Sequence, residues 1–335
     1  MILLTGATGL VGSHLAYSLL RKEDRIRATH RTSSDLNSVK KVFSYFTDKP
    51  EEYYQRIEWV EADLTDISAL EKAFQGITTV YHAAAYVNFN PRNFSKLKKS
   101  NVEATANMVN LSLDFGVKRF CYVSSIATIG TPTEDQLADE STPWSWEEDN
   151  NVYAITKYNA EMEVWRGSQE GLSVVMVNPG VILGAGYWDE GSGSIIKGIA
   201  KGLPFYTAGG VGFVDVLDVV DAMILLTESE INAERFVLVG HNLTYLELIT
   251  FFSEAFGIKV PSRRIGSGPL HVVRFLDYLG HLLFRRKQSL FKDSIRSLCH
   301  KAFYSSNKIE ERTGFKFRSM QETADRLAAD YSKES

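Results

Sequence analysis

The chain has 335 residues, 44% of them hydrophobic, with 37 Lys and Arg against 41 Asp and Glu and a net charge of −4. This length suits one large α/β unit carrying a smaller lobe, and the apolar content excludes global disorder. The mild charge balance excludes a general electrostatic drive toward nucleic acid or anionic membranes. Two cysteines, Cys121 and Cys299, are too few for a disulfide framework. Cys121 lies in the apolar run Arg119-Phe120-Cys121-Tyr122-Val123 and reads as a buried thiol, which points to a reducing, cytoplasmic compartment. The opening residues predict no secretory leader. No run of about 18 uninterrupted apolar residues is present, so no membrane span is expected. The nearest approach, residues 269–284, is broken by Arg274, Asp277 and two histidines.

In chain order, Ile2-Leu3-Leu4 predicts a strand, and residues 12–21 a helix with Leu15, Leu19 and Leu20 on one side. Residues 26–30, 57–62, 79–82, 120–124 and 174–178 repeat the strand pattern. Residues 101–115 and 153–168 repeat the helical one. This alternation predicts parallel strands joined by right-handed helical crossovers, a doubly wound (Rossmann) α/β sheet. After Pro179 the pattern changes. Residues 184–212, rich in Gly and aromatics, predict loops and a short helix. Residues 213–216 and 236–239 predict late strands returning to the sheet. The expected division is a dinucleotide-binding domain at 1–178, completed by 213–240, and a mostly helical substrate lobe from 179–212 and 241–335. Such a lobe belongs at the carboxyl edge of the sheet, where α/β enzymes bind ligands. The stretch 269–287 reads as a helix of that lobe or, alternatively, as an interfacial helix.

The first strand runs into Thr5-Gly6-Ala7-Thr8-Gly9-Leu10-Val11-Gly12. Gly6 permits a tight turn, Gly9 lets backbone approach a pyrophosphate, and Gly12 lets helix and strand pack closely. The helix N-terminus then offers free N–H groups to an anion. Three glycines also suit an ordinary strand–helix turn, but their place directly after a strand and before a helix is the context a dinucleotide loop requires. An acidic residue at the end of the second strand would bind the 2′-hydroxyl of NAD. This chain has Ala28-Thr29-His30-Arg31-Thr32 there, and Arg31 suits a 2′-phosphate. NADP(H) is therefore expected over NAD(H), with a solvated surface arginine as the other reading. Asp63, followed by Leu64 after the third strand, suits either the adenine amine or a cap-like role shared with Asp66.

Tyr153 and Lys157 stand four residues apart on one helix face. A free phenol titrates near 10, too high for efficient proton exchange near neutrality, and an adjacent ammonium lowers that value. Ser124-Ser125 close an apolar strand at the mouth of the sheet, where a hydroxyl can hold a substrate carbonyl. A turn-capping role fits Ser124 better than Ser125. No metal-ligand spacing such as HExxH occurs, so no metal is expected.

Thr5-Gly6-x-x-Gly9-x-x-Gly12, His82-Ala83-Ala84-Ala85, Ser124-Ser125, Tyr153-x-x-x-Lys157, Asn178-Pro179-Gly180 and Phe213-Val214-Asp215-Val216 fall in one order and spacing. As a set they resemble the extended short-chain dehydrogenases/reductases of the NAD-dependent epimerase/dehydratase superfamily. Residues 26–31, Leu243-Thr244-Tyr245-Leu246-Glu247-Leu248 and Tyr304-Ser305-Ser306-Asn307-Lys308 through Gly314-Phe315 are most similar to its dihydroflavonol-4-reductase-like branch. The resemblance implies Ser125 as carbonyl binder, Tyr153 as acid/base, and Lys157 as tuner of Tyr153 and ligand of the nicotinamide ribose. It implies a cofactor cradle of Thr5, Gly6, Thr8, Gly9, Leu10, Val11, Gly12, Arg31, Asp63, Leu64, Ala83, Ala84, Ala85, Pro179 and Val181. Tyr86 and Tyr187 join Ser125 as expected substrate contacts, and Phe89, Trp188, Phe205 and Tyr206 add aromatic surface that suits an apolar or ring-bearing molecule, with core packing an equal account of some of them. It also implies a homodimer through helices 101–115 and 153–168. Two departures matter. Gly212-Phe213 stands where nucleotide-sugar epimerases carry an arginine, and Gly130 where plant flavonoid reductases carry an asparagine. The expected reaction is reduction of a carbonyl, or oxidation of the alcohol, of a small molecule. The alternatives are a nucleotide-sugar epimerase/dehydratase and a non-catalytic dinucleotide sensor.

Overall fold

The computed structural model describes residues 1–131, 136–270 and 292–334. Strands β1 (Ile2–Thr5), β2 (Ile26–His30), β3 (Ile57–Glu61), β4 (Thr79–His82), β5 (Arg119–Val123), β6 (Val174–Pro179) and β9 (Glu234–Leu238) form one sheet. Its order is β3-β2-β1-β4-β5-β6-β9, and every pairing is parallel. The order reverses beside β1, which opens the crevice where such sheets bind ligands. Helices α1 (Leu10–Leu20), α2 (Asn37–Ser44), α3 (Pro50–Tyr54), α4 (Ile67–Phe74), α5 (Phe94–Leu97), α6 (Ala104–Asp114), α7 (Val152–Gln169) and α9 (Val216–Glu228) accompany the sheet.

Alternation along the central strands supplies both faces of the core. Leu4, Cys121, Val123, Val175 and Val177 pack with α1 and α9 on one face. Leu3, Phe120, Tyr122, Val174 and Met176 pack with α6 and α7 on the other. Strands covered on both faces must be apolar nearly throughout, and β6 is buried along its whole length. Each such Val, Leu or Phe contributes about 1.5–3 kcal/mol by burial.

The late strands separate. β9 returns to the main sheet as expected, but residues 213–215 do not. They belong to β8 (Gly210–Asp215), the centre of a second sheet with β7 (Val181–Leu183), β10 (His241–Thr244) and β11 (Lys301–Ala302). The place beside β6 is already taken by β9, through Pro179↔Leu238, so β8 pairs with β7 instead. Within 213–240 only β9 joins the main sheet, while α9 packs on its face. The lobe adds α8 (Gly191–Ala200), α10 (Tyr245–Ala255), α11 (Lys292–Cys299), α12 (Asn307–Thr313) and α13 (Met320–Ser332). Asp215 locks lobe to sheet. Its carboxylate caps α9 through Leu217 N at 2.8 Å and accepts from Thr323 and Arg326 of α13 at 2.8 and 2.6 Å.

The helix expected over 101–115 begins differently, as a π-helical turn at Lys98–Glu103 that runs into α6. Among the described residues no helix is long and apolar enough to cross a membrane. Most of the stretch 269–287, with its interfacial alternative, lies outside the described residues.

Candidate active site

A cleft of about 2110 Å³ opens along the carboxyl ends of β1, β2, β4, β5 and β6. One end is built of backbone. Gly6 has φ +74°, and a Cβ there would lie 2.7 Å from Ala84 N; at Gly12 a Cβ would lie 2.0 Å from Gly6 O. Only hydrogen fits either place. Gly9 is the N-cap of α1 and supplies no side-chain cap, so the first helical N–H groups face the cleft without a side-chain acceptor. Ala83 and Ala84 line the floor, whereas Thr5, expected in the cradle, is buried behind the lining and its Oγ1 accepts from Ala84 N at 3.4 Å. Thr8, Leu10, Val11, Ala85, Leu64, Pro179 and Val181 line the same cleft.

Arg31 is exposed at the end of β2 and lines the cleft with Ser34, and its guanidinium has no ion-pair partner among the described residues. Asp63 also lines the cleft. Its Oδ1 accepts from Thr65 N at 2.9 Å and Thr65 Oγ1 at 2.7 Å, and these bonds hold its carboxyl below the ordinary value. Asp66, not Asp63, caps α4, through Ala69 N at 3.1 Å.

The other end is built of side chains. Asn151 caps α7 by accepting from Ala154 N at 2.9 Å, which puts Tyr153 in the first turn and Lys157 one turn on. Burial pushes the Tyr153 phenol up to about 12, against a lowering hydrogen bond from Ser125. Burial brings Lys157 down to about 7, against the raising field of Glu161. Lys157 Nζ donates to Tyr122 Oη at 2.6 Å and to Val123 O at 2.8 Å. The hydroxyl bonded to the Lys157 ammonium is thus that of Tyr122. Ser125 Oγ accepts from Ala127 N at 3.1 Å and caps the turn after β5, the role expected of Ser124, whose hydroxyl donates to Glu161 instead. Phe89 meets the Tyr153 ring edge-on at 5.5 Å. Tyr86 lines this end too, beneath Lys96 Nζ at 4.6 Å from its ring.

Tyr187 sits elsewhere. Its hydroxyl donates to Thr8 O at 2.9 Å, which places it over the phosphate loop. Trp188 is buried in the lobe core, Phe205 is exposed, and neither lines the cleft.

The sequence pointed to neither Asn101 nor Glu161, and to His82 only as a strand-end histidine packed by the cofactor loop. Asn101, buried in the π-helical turn, grips the loop at Tyr86, accepting from its N–H at 2.7 Å and donating to its carbonyl at 3.1 Å. His82 bonds Thr5 Oγ1 at 2.7 Å and Thr105 Oγ1 at 3.0 Å, and burial lowers it to about 3. Glu161 accepts from four side chains beneath the site. A carboxylate one turn beyond Lys157 was the available signal. Its partners are far apart in sequence and gave none.

At the two departures there is no room for a side chain. A Cβ on Gly130 would lie 2.1 Å from Pro143 O, and one on Gly212 would lie 2.6 Å from Val239 Cγ2.

A dinucleotide loop and a Ser–Tyr–Lys set in one cleft define an NAD(P)-dependent oxidoreductase acting on CH–OH and carbonyl groups. The model of the NAD dependent epimerase/dehydratase family matches residues 2–240, and the chain belongs to that family. It is 27% identical over 321 residues to a provisionally named dihydroflavonol 4-reductase of Synechocystis sp., covering 92% of this chain and 88% of that one. It is 29% identical over 320 residues to tetraketide alpha-pyrone reductase 2 of Arabidopsis thaliana, covering 88% and 97%. The solved structure of gox2253 superposes with a TM-score of 0.82 at 27% identity, over 100% of this chain and 98% of that one.

Proposed function

We propose that the protein is an NADP(H)-dependent reductase of a small apolar or ring-bearing carbonyl compound, running in reverse as an alcohol dehydrogenase. The observation that carries this reading is that Ser125, Tyr153 and Lys157 line the same cleft as the glycine loop, with Lys157 one turn beyond Tyr153 on α7. A bound nicotinamide supplies the hydride. Gly6, Gly9 and Gly12 leave room for a pyrophosphate, and the bare N-terminus of α1 attracts it. Arg31, with no competing carboxylate paired to it, is available to a 2′-phosphate.

On the substrate side, Ser125 Oγ holds the carbonyl oxygen and Tyr153 Oη gives it a proton as hydride arrives at carbon. The phenolate left behind would be stabilised by the Lys157 ammonium, one turn along the same helix. A proton at about 12 is too firmly held to move freely near neutrality, so this support is needed.

The walls favour an apolar substrate. Phe89, Val87 and Leu137, all exposed and all lining the cleft, surround its mouth. The filled spaces at Gly212 and Gly130 speak against an arginine-held sugar diphosphate and against an asparagine-held flavonoid. The reductase names of the Synechocystis and Arabidopsis relatives agree with net reduction rather than epimerisation. The active form is a homodimer packed through α6 and α7, whose outward face carries exposed Met162; a monomer mass by light scattering at micromolar concentration would remove this part.

The test is a panel of aromatic and alicyclic aldehydes and ketones assayed by NADPH oxidation, with Tyr153→Phe as control. Turnover by the wild type that vanishes in the variant, while NADPH binding persists, is the expected result. Wild-type rates in Tyr153→Phe would defeat the mechanism and leave the sensor reading.

A further inference from the structure

Glu161 is an acid in an expensive place. It is fully buried, and its carboxylate lies under the site. Four donors converge on it. Ser124 Oγ donates at 2.5 Å, Thr128 Oγ1 at 2.7 Å and Asn178 Nδ2 at 2.9 Å, all to Oε2, while Arg235 Nη1 donates at 2.8 Å to Oε1. An uncompensated buried charge is among the costliest groups a fold can carry, so a set this complete has to be built deliberately.

The donors come from separate elements. Ser124 follows β5 directly and precedes Ser125. Thr128 belongs to the turn after it, Asn178 precedes Pro179 on β6, and Arg235 lies on β9. Asn178 Nδ2 reaches the Ser125 carbonyl as well, at 3.2 Å. Glu161 itself is on α7, one turn beyond Lys157 and two beyond Tyr153, so all three share a face. One carboxylate therefore joins the segment that leads from β5 into Ser125, the strand that ends in Pro179 and the helix that carries Tyr153.

We propose that Glu161 is a positioning residue, which pins the β5 and β6 ends to α7 and provides the counter-charge that keeps Lys157 an ammonium. The proposal rests on the reading of the cleft as a nicotinamide-dinucleotide site.

The ionisable groups around this pair are few. Tyr153 and Glu161 on α7, Tyr122 on β5 and His82 on β4 face Lys157, and Arg235 on β9 faces Glu161. Burial strips Lys157 of solvation and the Glu161 field opposes the loss. Removing the anion lets the ammonium release its proton at lower pH. Removing Arg235, which competes for the same carboxylate, acts in the opposite sense.

The experiment is an NADPH fluorescence titration from pH 5.5 to 9.5, with melting temperature recorded alongside, on wild type, Glu161→Gln, Arg235→Met and Lys157→Met. Lys157→Met supplies the baseline that holds every other titration, including the 2′-phosphate of the probe. Against it, wild-type affinity should fall through a midpoint near neutrality as Lys157 loses its charge. In Glu161→Gln that midpoint should move down by about one unit, the low end of what a nearby charge does. In Arg235→Met it should move up. An unmoved midpoint in Glu161→Gln, or in Arg235→Met where the first variant does not fold, overturns the proposal whatever happens to the melting temperature. So does a neutral midpoint that survives in Lys157→Met. Failure of the wild type to bind either NADPH or NADH would instead defeat the reading of the cleft, and the proposal with it.

Discussion

The two ends of the cleft solve different problems with different materials. The phosphate end is one contiguous segment whose chemistry is backbone, and its defining feature is missing side chains at Gly6 and Gly12. The end around Tyr153 and Lys157 is assembled from β5, β6, β9 and α7, out of buried side chains that bond one another, with Asn178 Oδ1 left without a partner. A backbone site fails when something is added to it. A side-chain site fails when something is taken away.

Four changes test that contrast. The largest effect belongs to subtraction at the catalytic end. Tyr153→Phe should cost about 10²–10⁴-fold in turnover while the NADPH dissociation constant stays within twofold, because the ring remains and only the acid is lost. Turnover within threefold of wild type would break the comparison at its stronger side. Addition at the phosphate end comes next. Gly12→Ala forces a Cβ to within 2.0 Å of Gly6 O, so the loop must shift. A loss of about 1–3 kcal/mol in urea unfolding is expected, together with loss of dinucleotide binding. Gly9→Ala meets nothing closer than 3.4 Å and should fold like the wild type; equal destabilisation by both would show that close approach is not what Gly12 provides.

The third is a pH effect. Burial lowers His82 to about 3 and His14 to about 4, both below the 6.5 of an unfolded chain. Between those values the unfolded state binds more protons, so stability is full above pH 6.5 and is lost as pH falls below it. Each histidine contributes a slope of about 1.4 kcal/mol per pH unit in that window. Urea midpoints at pH 7 and pH 5 measure it, and His14→Leu should reduce the difference. No difference would mean that the histidines are not held neutral. The smallest effect is at the rim. Arg31→Ala should erase a preference of roughly tenfold for NADPH over NADH, the value of one charge-assisted contact of about 1.5 kcal/mol, and leave NADH binding unchanged. Equal wild-type affinity for the two would remove Arg31 from the cofactor argument.

The same contrast explains what could be read from the chain. The alternation of strands and helices showed the doubly wound sheet, because apolar period and length are local properties. The glycine loop was readable for the same reason, as were Tyr153 and Lys157 at helical spacing. The second sheet was not. Phe213-Val214-Asp215-Val216 looks like any buried strand, and only the prior claim of β9 on the edge of β6 sends it elsewhere. Glu161 stayed hidden because its partners lie 17 to 74 residues away. Tyr187 was expected at the substrate and lies on Thr8, an address set by tertiary packing and not by its aromatic neighbourhood.

The Asp215 latch bears on the order in which the chain folds during its synthesis. Asp215 lies at the root of α9, and its cationic partner Arg326 is 111 positions further on. As the chain emerges from the ribosome, amino-terminal units fold first, at about 5–20 residues added per second. At that pace Asp215 waits roughly 5–20 seconds for Arg326, still hydrated because nothing yet covers it. The last strand of the seven-stranded sheet, β9, is made in that interval, while Asp215 is covered only when α13 arrives. A newborn chain thus completes the strands of its large sheet before the helix that covers Asp215 exists.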